Sequence, residues 1–260
     1  MTTNLQKSII TFVPAVLTCL AVLANGSPTL AQAQHLANPS YFYPGQYWKQ
    51  LEAAAPIAGL AIMNPNSGSG TALNTDYVTE VKTAQEKGIA VIGYVDTAYA
   101  KRSPDLVAAD IKNYFTWYHV DGIFFDEASN SASDVPYYKT CYQLVHGLDS
   151  KATVVLNPGT PTDEGYMKAA DIIVTFESTY TDYVNNFVQA PWVTSYPPRR
   201  FWHIVLGTTT VDDLQKAISL SKSRNAGWFY ATTYAPPANP YDTLPTNPYW
   251  HDELTWISQK

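Results

Sequence analysis

From Ala37 onward, short runs rich in β-branched and aromatic residues alternate with longer segments whose apolar positions recur at helical spacing. Strand-sized runs alternating with helix-sized ones indicate βαβ units wound around a parallel sheet. Eight runs read as strands: 41–43, 57–63, 89–95, 120–125, 153–156, 172–176, 202–206 and 228–231. Several, such as Ile172-Ile173-Val174-Thr175-Phe176, are almost continuously apolar, as strands covered on both faces must be. Local chemistry marks the helix ends between them. Asn74-Thr75-Asp76 opens a helix to Lys87 that Gly88 closes, and Ser103-Pro104-Asp105 opens one to Tyr118. Ser133-Asp134 precedes a helix from Val135 to His146 that Gly147 ends, and Thr210-Val211-Asp212-Asp213 opens one to Arg224. Eight such units predict an α/β fold, a single (β/α)8 TIM barrel, whose usual size is roughly 250 residues. The rival, an open doubly wound sheet, usually carries a G-x-G-x-x-G turn after an early strand, and the chain has none. The proline-rich stretch from Ala235 to Asn247 reads as a loop returning over the barrel mouth or rim.

The first residues follow a different pattern. Lys7 precedes an apolar run from Ser8 to Ala24, and Ala31-Gln32-Ala33 offers a small-x-small cleavage site. This predicts a secretory signal peptide over residues 1–33 and a catalytic barrel over 34–260. An uncleaved membrane anchor is the alternative, although the run is short for a stable span. The expected product is extracellular, with no membrane attachment after cleavage, and monomeric. Cys141 is then the only cysteine, so an intramolecular disulfide is excluded and the thiol reads as a small buried apolar residue.

A net charge of −6 argues against nucleic acid or an anionic membrane as the main partner, since phosphate binding needs clustered Lys and Arg. The chain has 19 Tyr and 7 Trp against 16 Lys plus Arg. Those rings combine an apolar face with a polar edge, which is what a sugar-binding cleft needs.

Chemistry in such a barrel sits at the C-terminal ends of the strands. The residues there are Pro44, Asn64, Asp96, Asp126-Glu127, Asn157-Pro158, Glu177, Gly207 and Thr232-Thr233-Tyr234. Two apolar approaches single out the acids: Ile123-Phe124-Phe125 runs into Asp126-Glu127, and Ile172 to Phe176 runs into Glu177. Carboxyls at the edge of an apolar wall are partly desolvated, which raises their pKa toward acid–base use. Glycoside hydrolysis requires two carboxyls flanking the scissile bond. Strand alternation turns Asp126 inward with Phe124 and Gly122, and turns Glu177 inward with Thr175 and Ile173. The candidate roles are Asp126 as nucleophile or charge stabiliser, Glu177 as general acid/base, and Glu127 in reserve for either. Candidate substrate contacts are Tyr43, Asn64, Tyr94, Asp96, Asn157, His203 and Tyr230. Asp96 also reads as a helix-cap or turn residue, and His203, in mid-strand, as a satisfied core histidine. Trp202, Trp228, Tyr230 and Tyr234 are candidate stacking platforms. The loop Asn64-Pro65-Asn66-Ser67-Gly68-Ser69-Gly70 lacks the lysine of a phosphate loop and is expected to shape the cleft. No His-x-His or His-Glu-x-x-His motif is present, so neither a metal nor another cofactor is expected.

The chain resembles spherulation-specific family 4, the spherulin-4 proteins. The matching segments are Tyr41-Phe42-Tyr43-Pro44, Ile62-Met63-Asn64-Pro65-Asn66-Ser67-Gly68, Gly93-Tyr94-Val95-Asp96-Thr97, Asp121-Gly122-Ile123-Phe124-Phe125-Asp126-Glu127, Asn157-Pro158-Gly159 and Phe176-Glu177. They occur in family order. The resemblance implies a (β/α)8 hydrolase of α-1,4-linked galactosamine or N-acetylgalactosamine polymers of biofilm or cell-wall matrix. Its catalytic acids match Asp126, Glu127 and Glu177. A non-catalytic glycan-binding or developmental wall protein that keeps the barrel is the second reading. The loop here continues Gly-Ser-Gly where the family resemblance leads one to expect Gly-Pro-Gly, a departure that bears on the shape of the cleft.

Overall fold

The computed structural model describes residues 33–259. Apart from Ala33, the predicted signal peptide lies outside these residues. Eight parallel strands close into a barrel in sequence order. They are β1 (His35–Ser40), β2 (Ala58–Met63), β3 (Ala90–Asp96), β4 (Gly122–Asp126), β5 (Thr153–Leu156), β6 (Ile172–Thr179), β7 (Phe201–Leu206) and β8 (Trp228–Thr232). The surrounding helices are α1 (Gln46–Glu52), α2 (Thr75–Glu86), α3 (Pro104–Asn113), α4 (Val135–Leu148), α5 (Tyr180–Asn185), α6 (Val211–Ser223) and α7 (Tyr249–Ser258). Between β5 and β6 a 3₁₀ turn, Glu164–Lys168, takes the place of an α-helix. The expected N-caps form at two sites: Asn74 accepts from the Asp76 N–H, and Thr210 from the Asp213 N–H.

Seven of the eight strand positions agree with the hydrophobic pattern to within a few residues; the first does not. The Tyr41–Tyr43 run is a strong β-former, yet the strand lies just before it, at His35–Ser40. Its polar residues Asn38 and Ser40 are fully buried and bond each other through Ser40 Oγ and Asn38 Oδ1 at 2.8 Å. That leaves Tyr41 as the first residue of the β1–α1 loop. The helix after Ser103 reaches Tyr118 as expected, with its last turn, from Tyr114, π-helical, whereas α4 runs through Gly147 to Leu148.

A β-bulge corrects the expected facing of β6. Val174 pairs with Trp202 and Phe176 with His203, so Thr175 is the extra residue. Below the bulge the alternation is reversed: Val174 shares the inward face of Trp202, which packs on Phe124, whereas Phe176 turns outward onto Tyr183 and Phe187. Glu177 still faces inward. On β4, Gly122 is required by close approach, since a Cβ there would meet the Thr153 carbonyl at 2.0 Å.

β8 and β1 pair only at His35↔Trp228 and Leu36↔Phe229. Beyond these pairs the Ala231 N–H donates instead to Glu253 Oε1 of α7 at 2.8 Å. Glu253 is fully buried and its other oxygen has no partner. Burial pushes its carboxyl from 4.5 up to about 8. The folded state therefore holds a proton that the unfolded chain releases. Stability from this group is present below pH 4.5 and is lost as pH rises toward 8. Glu253→Gln, which keeps the acceptor and removes the charge, is expected to flatten the loss of stability between pH 5 and pH 9 by a few kcal/mol, on the order expected for a shift of this size. Denaturant midpoints of both proteins at the two pH values check this; equal pH slopes would refute it.

Candidate active site

Four strand ends deliver the central groups. Asp126 ends β4 and pairs in register with Asp96 of β3. Asn157 follows β5, its N–H donating to the Phe125 carbonyl at 2.9 Å. Glu177 lies in β6, where its N–H donates to the Gly159 carbonyl at 2.9 Å, so the Asn-Pro-Gly turn seats directly on the acid. Tyr94, inward-facing on β3, donates its phenol to Asp126 Oδ2 at 2.8 Å.

Asn157 joins the two acids. Its Nδ2 donates to Asp126 Oδ1 at 2.7 Å and to Glu177 Oε2 at 2.5 Å. The nearest oxygens of the pair are thus no farther apart than two short hydrogen bonds laid end to end. The remaining oxygen of Glu177 accepts from the phenol of Tyr241, in the loop between β8 and α7. Tyr41 packs edge-on against both Tyr94 and Tyr241, at 5.5 and 5.2 Å between ring centres.

Above these groups lies a cleft of about 520 Å³, within the range of small-molecule sites. Glu177, Tyr41, Tyr94 and Asn64 line it together with Asn239 to Asp242. The loop of 235–247 therefore covers part of the mouth, as its composition suggested.

The two acids differ electrostatically. Burial pushes the Asp126 carboxyl up, but the Tyr94 phenol, the Glu127 N–H and the Asn157 amide all stabilise its charge. Burial also raises Glu177, the neighbouring charge of Asp126 adds to the rise, and only Tyr241 and Asn157 oppose it. Glu177 is thus the better proton holder and Asp126 the better anion.

The structure separates the other candidates from this centre. Glu127 takes a left-handed conformation (φ 47°), which points its exposed side chain away from the cleft and against Asp96. Asp96 Oδ1 accepts the Ala98 N–H at 2.7 Å, as a turn residue does. Tyr43 is not in the cleft: with β1 ending at Ser40, it stands on the outer rim, 57% exposed. His203 faces outward from β7 and is buried, with Tyr183 Oη at 2.7 Å and Thr175 Oγ1 at 3.0 Å; burial pulls its pKa down to about 3. It is a satisfied core residue. Tyr230 is fully buried beneath the covering loop, where its phenol bonds the Pro240 carbonyl. Trp202 fills the barrel interior, and Trp228 begins β8 at the opposite end, beside His35. Tyr234 is exposed but does not line the cleft.

Two site residues escaped the sequence reading. Tyr41 was absorbed into a strand that ends before it, and Tyr241 sits in an Asn-Pro-Tyr-Asp context with no periodicity to mark it. Cys141 is buried in α4, where desolvation pushes its thiol up to about 12. Among the described residues no group of three His, Cys, Asp or Glu side chains is placed to hold a metal ion.

Known proteins share this sequence pattern and this fold. Residues 35–257 match the sequence profile of spherulation-specific family 4. Spherulin-4 of Physarum polycephalum is 36% identical over 173 residues, 65% of this chain and 52% of that protein, so the chain spans about half the length of this curated relative. A crystal structure of Sph3 from Aspergillus clavatus in complex with GalNAc superposes with a TM-score of 0.74 at 25% identity, covering 87% of this chain and 98% of that one. A chitinase from Chromobacterium violaceum, at 9% identity, superposes with a TM-score of 0.58 over 88% of this chain and the whole of the other, which is a likeness of fold.

Proposed function

Because the chain belongs to spherulation-specific family 4, a family whose barrel it shares with Sph3, we propose that it is a glycoside hydrolase acting on a polymer of α-1,4-linked galactosamine or N-acetylgalactosamine. The observation that carries the reading is the Asp126–Asn157–Glu177 bridge. One amide holds two carboxyls of unequal proton affinity together, and Glu177 of the pair lines a tyrosine-walled cleft. The shared amide keeps the nearest oxygens of the pair within two short hydrogen bonds of each other, which suits the roughly 5–5.5 Å of double-displacement glycosidases and falls short of the roughly 6.5–9.5 Å needed to admit a water between acid and base. Glu177 gives its proton to the glycosidic oxygen while Asp126 attacks or stabilises the anomeric carbon. Glu177, now ionised, takes a proton from water, whose oxygen displaces Asp126 and leaves both acids as they began.

The non-catalytic reading expects the acids to be far apart or neutralised by basic side chains. Among the described residues neither acid has a Lys or Arg salt-bridge partner. Secretion after removal of residues 1–33, action as a monomer on an extracellular matrix polysaccharide, and the absence of a cofactor belong to the same proposal. Reducing ends released from a panel of hexosamine polymers differing in linkage and acetylation test it. Release from galactosamine polymers, and none from β-linked glucosamine polymers, is the expected result; no release from any of them would sink it.

A further inference from the structure

The family-like loop between β2 and α2 shapes more than the catalytic cleft. On its far side it walls a second depression of about 420 Å³. Asn66 lines both hollows, so one leads into the other across a single side chain. Thr71, Asn74, Tyr118 and the half-exposed Leu73 are among its other lining residues, none of which is charged. A neutral wall of amides and hydroxyls beside apolar carbon suits a polyol.

The loop is held rigid from beneath. Ser69, fully buried, donates to Asp110 Oδ1 at 2.9 Å and accepts from Asn113 Nδ2 at 3.2 Å, while its carbonyl accepts the Tyr118 phenol at 3.2 Å. Tyr118 in turn accepts the Asn74 N–H at 3.3 Å. Beside Asn74 stands Tyr43, an exposed ring that is nonetheless fixed. Its phenol donates to Asp76 Oδ2 at 2.6 Å and accepts from Asn74 Nδ2 at 3.2 Å, and its ring packs edge-on against Tyr77. An immobilised aromatic face binds without a large ordering cost, and a sugar ring presents an apolar face of matching kind.

A polymer whose scissile bond lies at Glu177 must leave the central cleft, and the hollow beyond Asn66 is an open way out. We infer that this depression is a second carbohydrate subsite, with Tyr43 at its edge beside Asn74, taking a hexosamine unit of the bound polymer remote from the cleaved bond. The inference rests on the reading of the central cleft given above. It also gives Tyr43 a role in substrate binding that its distance from the acids would otherwise deny it.

Calorimetric titration of the Glu177→Gln protein with galactosamine and with α-1,4-linked galactosamine oligomers of increasing length tests it. Affinity is expected to rise with length. Adding Tyr43→Ala, or Thr71→Arg to fill the hollow, is expected to cut the preference for long oligomers over the monosaccharide about tenfold, while Tyr43→Phe, which keeps the ring, retains most of it. Length curves that overlay the parent's for both Tyr43→Ala and Thr71→Arg overturn the subsite alone. A parent protein that binds no galactosamine compound of any length overturns the central reading and the subsite with it.

Discussion

Asp126→Asn and Glu177→Gln are each expected to lower turnover of the galactosamine polymer by at least about 10²–10⁴-fold, the range for loss of a positioned proton-transfer group. Neither is expected to unfold the barrel, because each exchange is isosteric and removes a partly desolvated charge from the neighbourhood of another. The two variants separate by substrate. A synthetic glycoside whose leaving group departs without a proton restores the first step in Glu177→Gln, which lacks only the donor. It restores nothing in Asp126→Asn, which lacks the group at the anomeric carbon. Glu127→Gln is expected to cost about tenfold or less, because its carboxyl lies against Asp96 outside the cleft and reaches the reaction only through that turn. Steady-state rates on the polymer and on the activated glycoside, with thermal unfolding as a control, check all three. Wild-type rates in either of the first two variants would exclude this pair.

The second large effect is expected at Asn157. Its single Nδ2 stabilises the charge on both acids, and replacing it with alanine leaves Asp126 with Tyr94 and the Glu127 N–H, and Glu177 with Tyr241 alone. Loss of one preorganised donor in a desolvated site typically costs about 10²–10³ in rate. The sign on pH follows directly. Without the amide both carboxyls hold their protons more tightly. The limb that requires ionised Asp126 moves up in pH, and so does the limb that requires protonated Glu177. The whole bell-shaped profile of kcat/KM in Asn157→Ala is expected to lie at higher pH than in the parent. A lower rate with an unmoved profile would mean that Asn157 only fills space.

Much of this arrangement is legible in the sequence, for identifiable reasons. Strands covered on both faces must be apolar, so Ile172 to Phe176 and Gly122 to Phe125 announce themselves, and the acids that follow them mark the barrel mouth. β1 was concealed because its sequence, His-Leu-Ala-Asn-Pro-Ser, buries polar residues that bond each other rather than apolar ones. The better β-former nearby, Tyr41 to Tyr43, is a loop. That one displacement moved attention from Tyr41, which faces the acids, to Tyr43, which does not. The bulge at Thr175 was equally hidden, since period-two reasoning assumes an unbroken ladder and nothing in Val174-Thr175-Phe176 signals an insertion. Tyr241 was invisible for a third reason. It reaches Glu177 across 64 positions of sequence from a loop whose prolines predict a turn but not its direction. Asn157 could be placed at a strand end but not between two carboxyls, because the bridge exists only once the barrel closes.

The most direct test follows the anomeric proton during cleavage of an α-1,4-linked galactosamine oligomer by the wild-type protein, using proton NMR at early times. The carboxyl spacing predicts that the first new reducing end is the α anomer, equilibrating afterwards to the α/β mixture, and that Asp126→Asn and Glu177→Gln produce no such signal. A first-formed β anomer, or no new reducing end from wild-type protein, would contradict a carboxylate pair joined by Asn157 as the seat of catalysis.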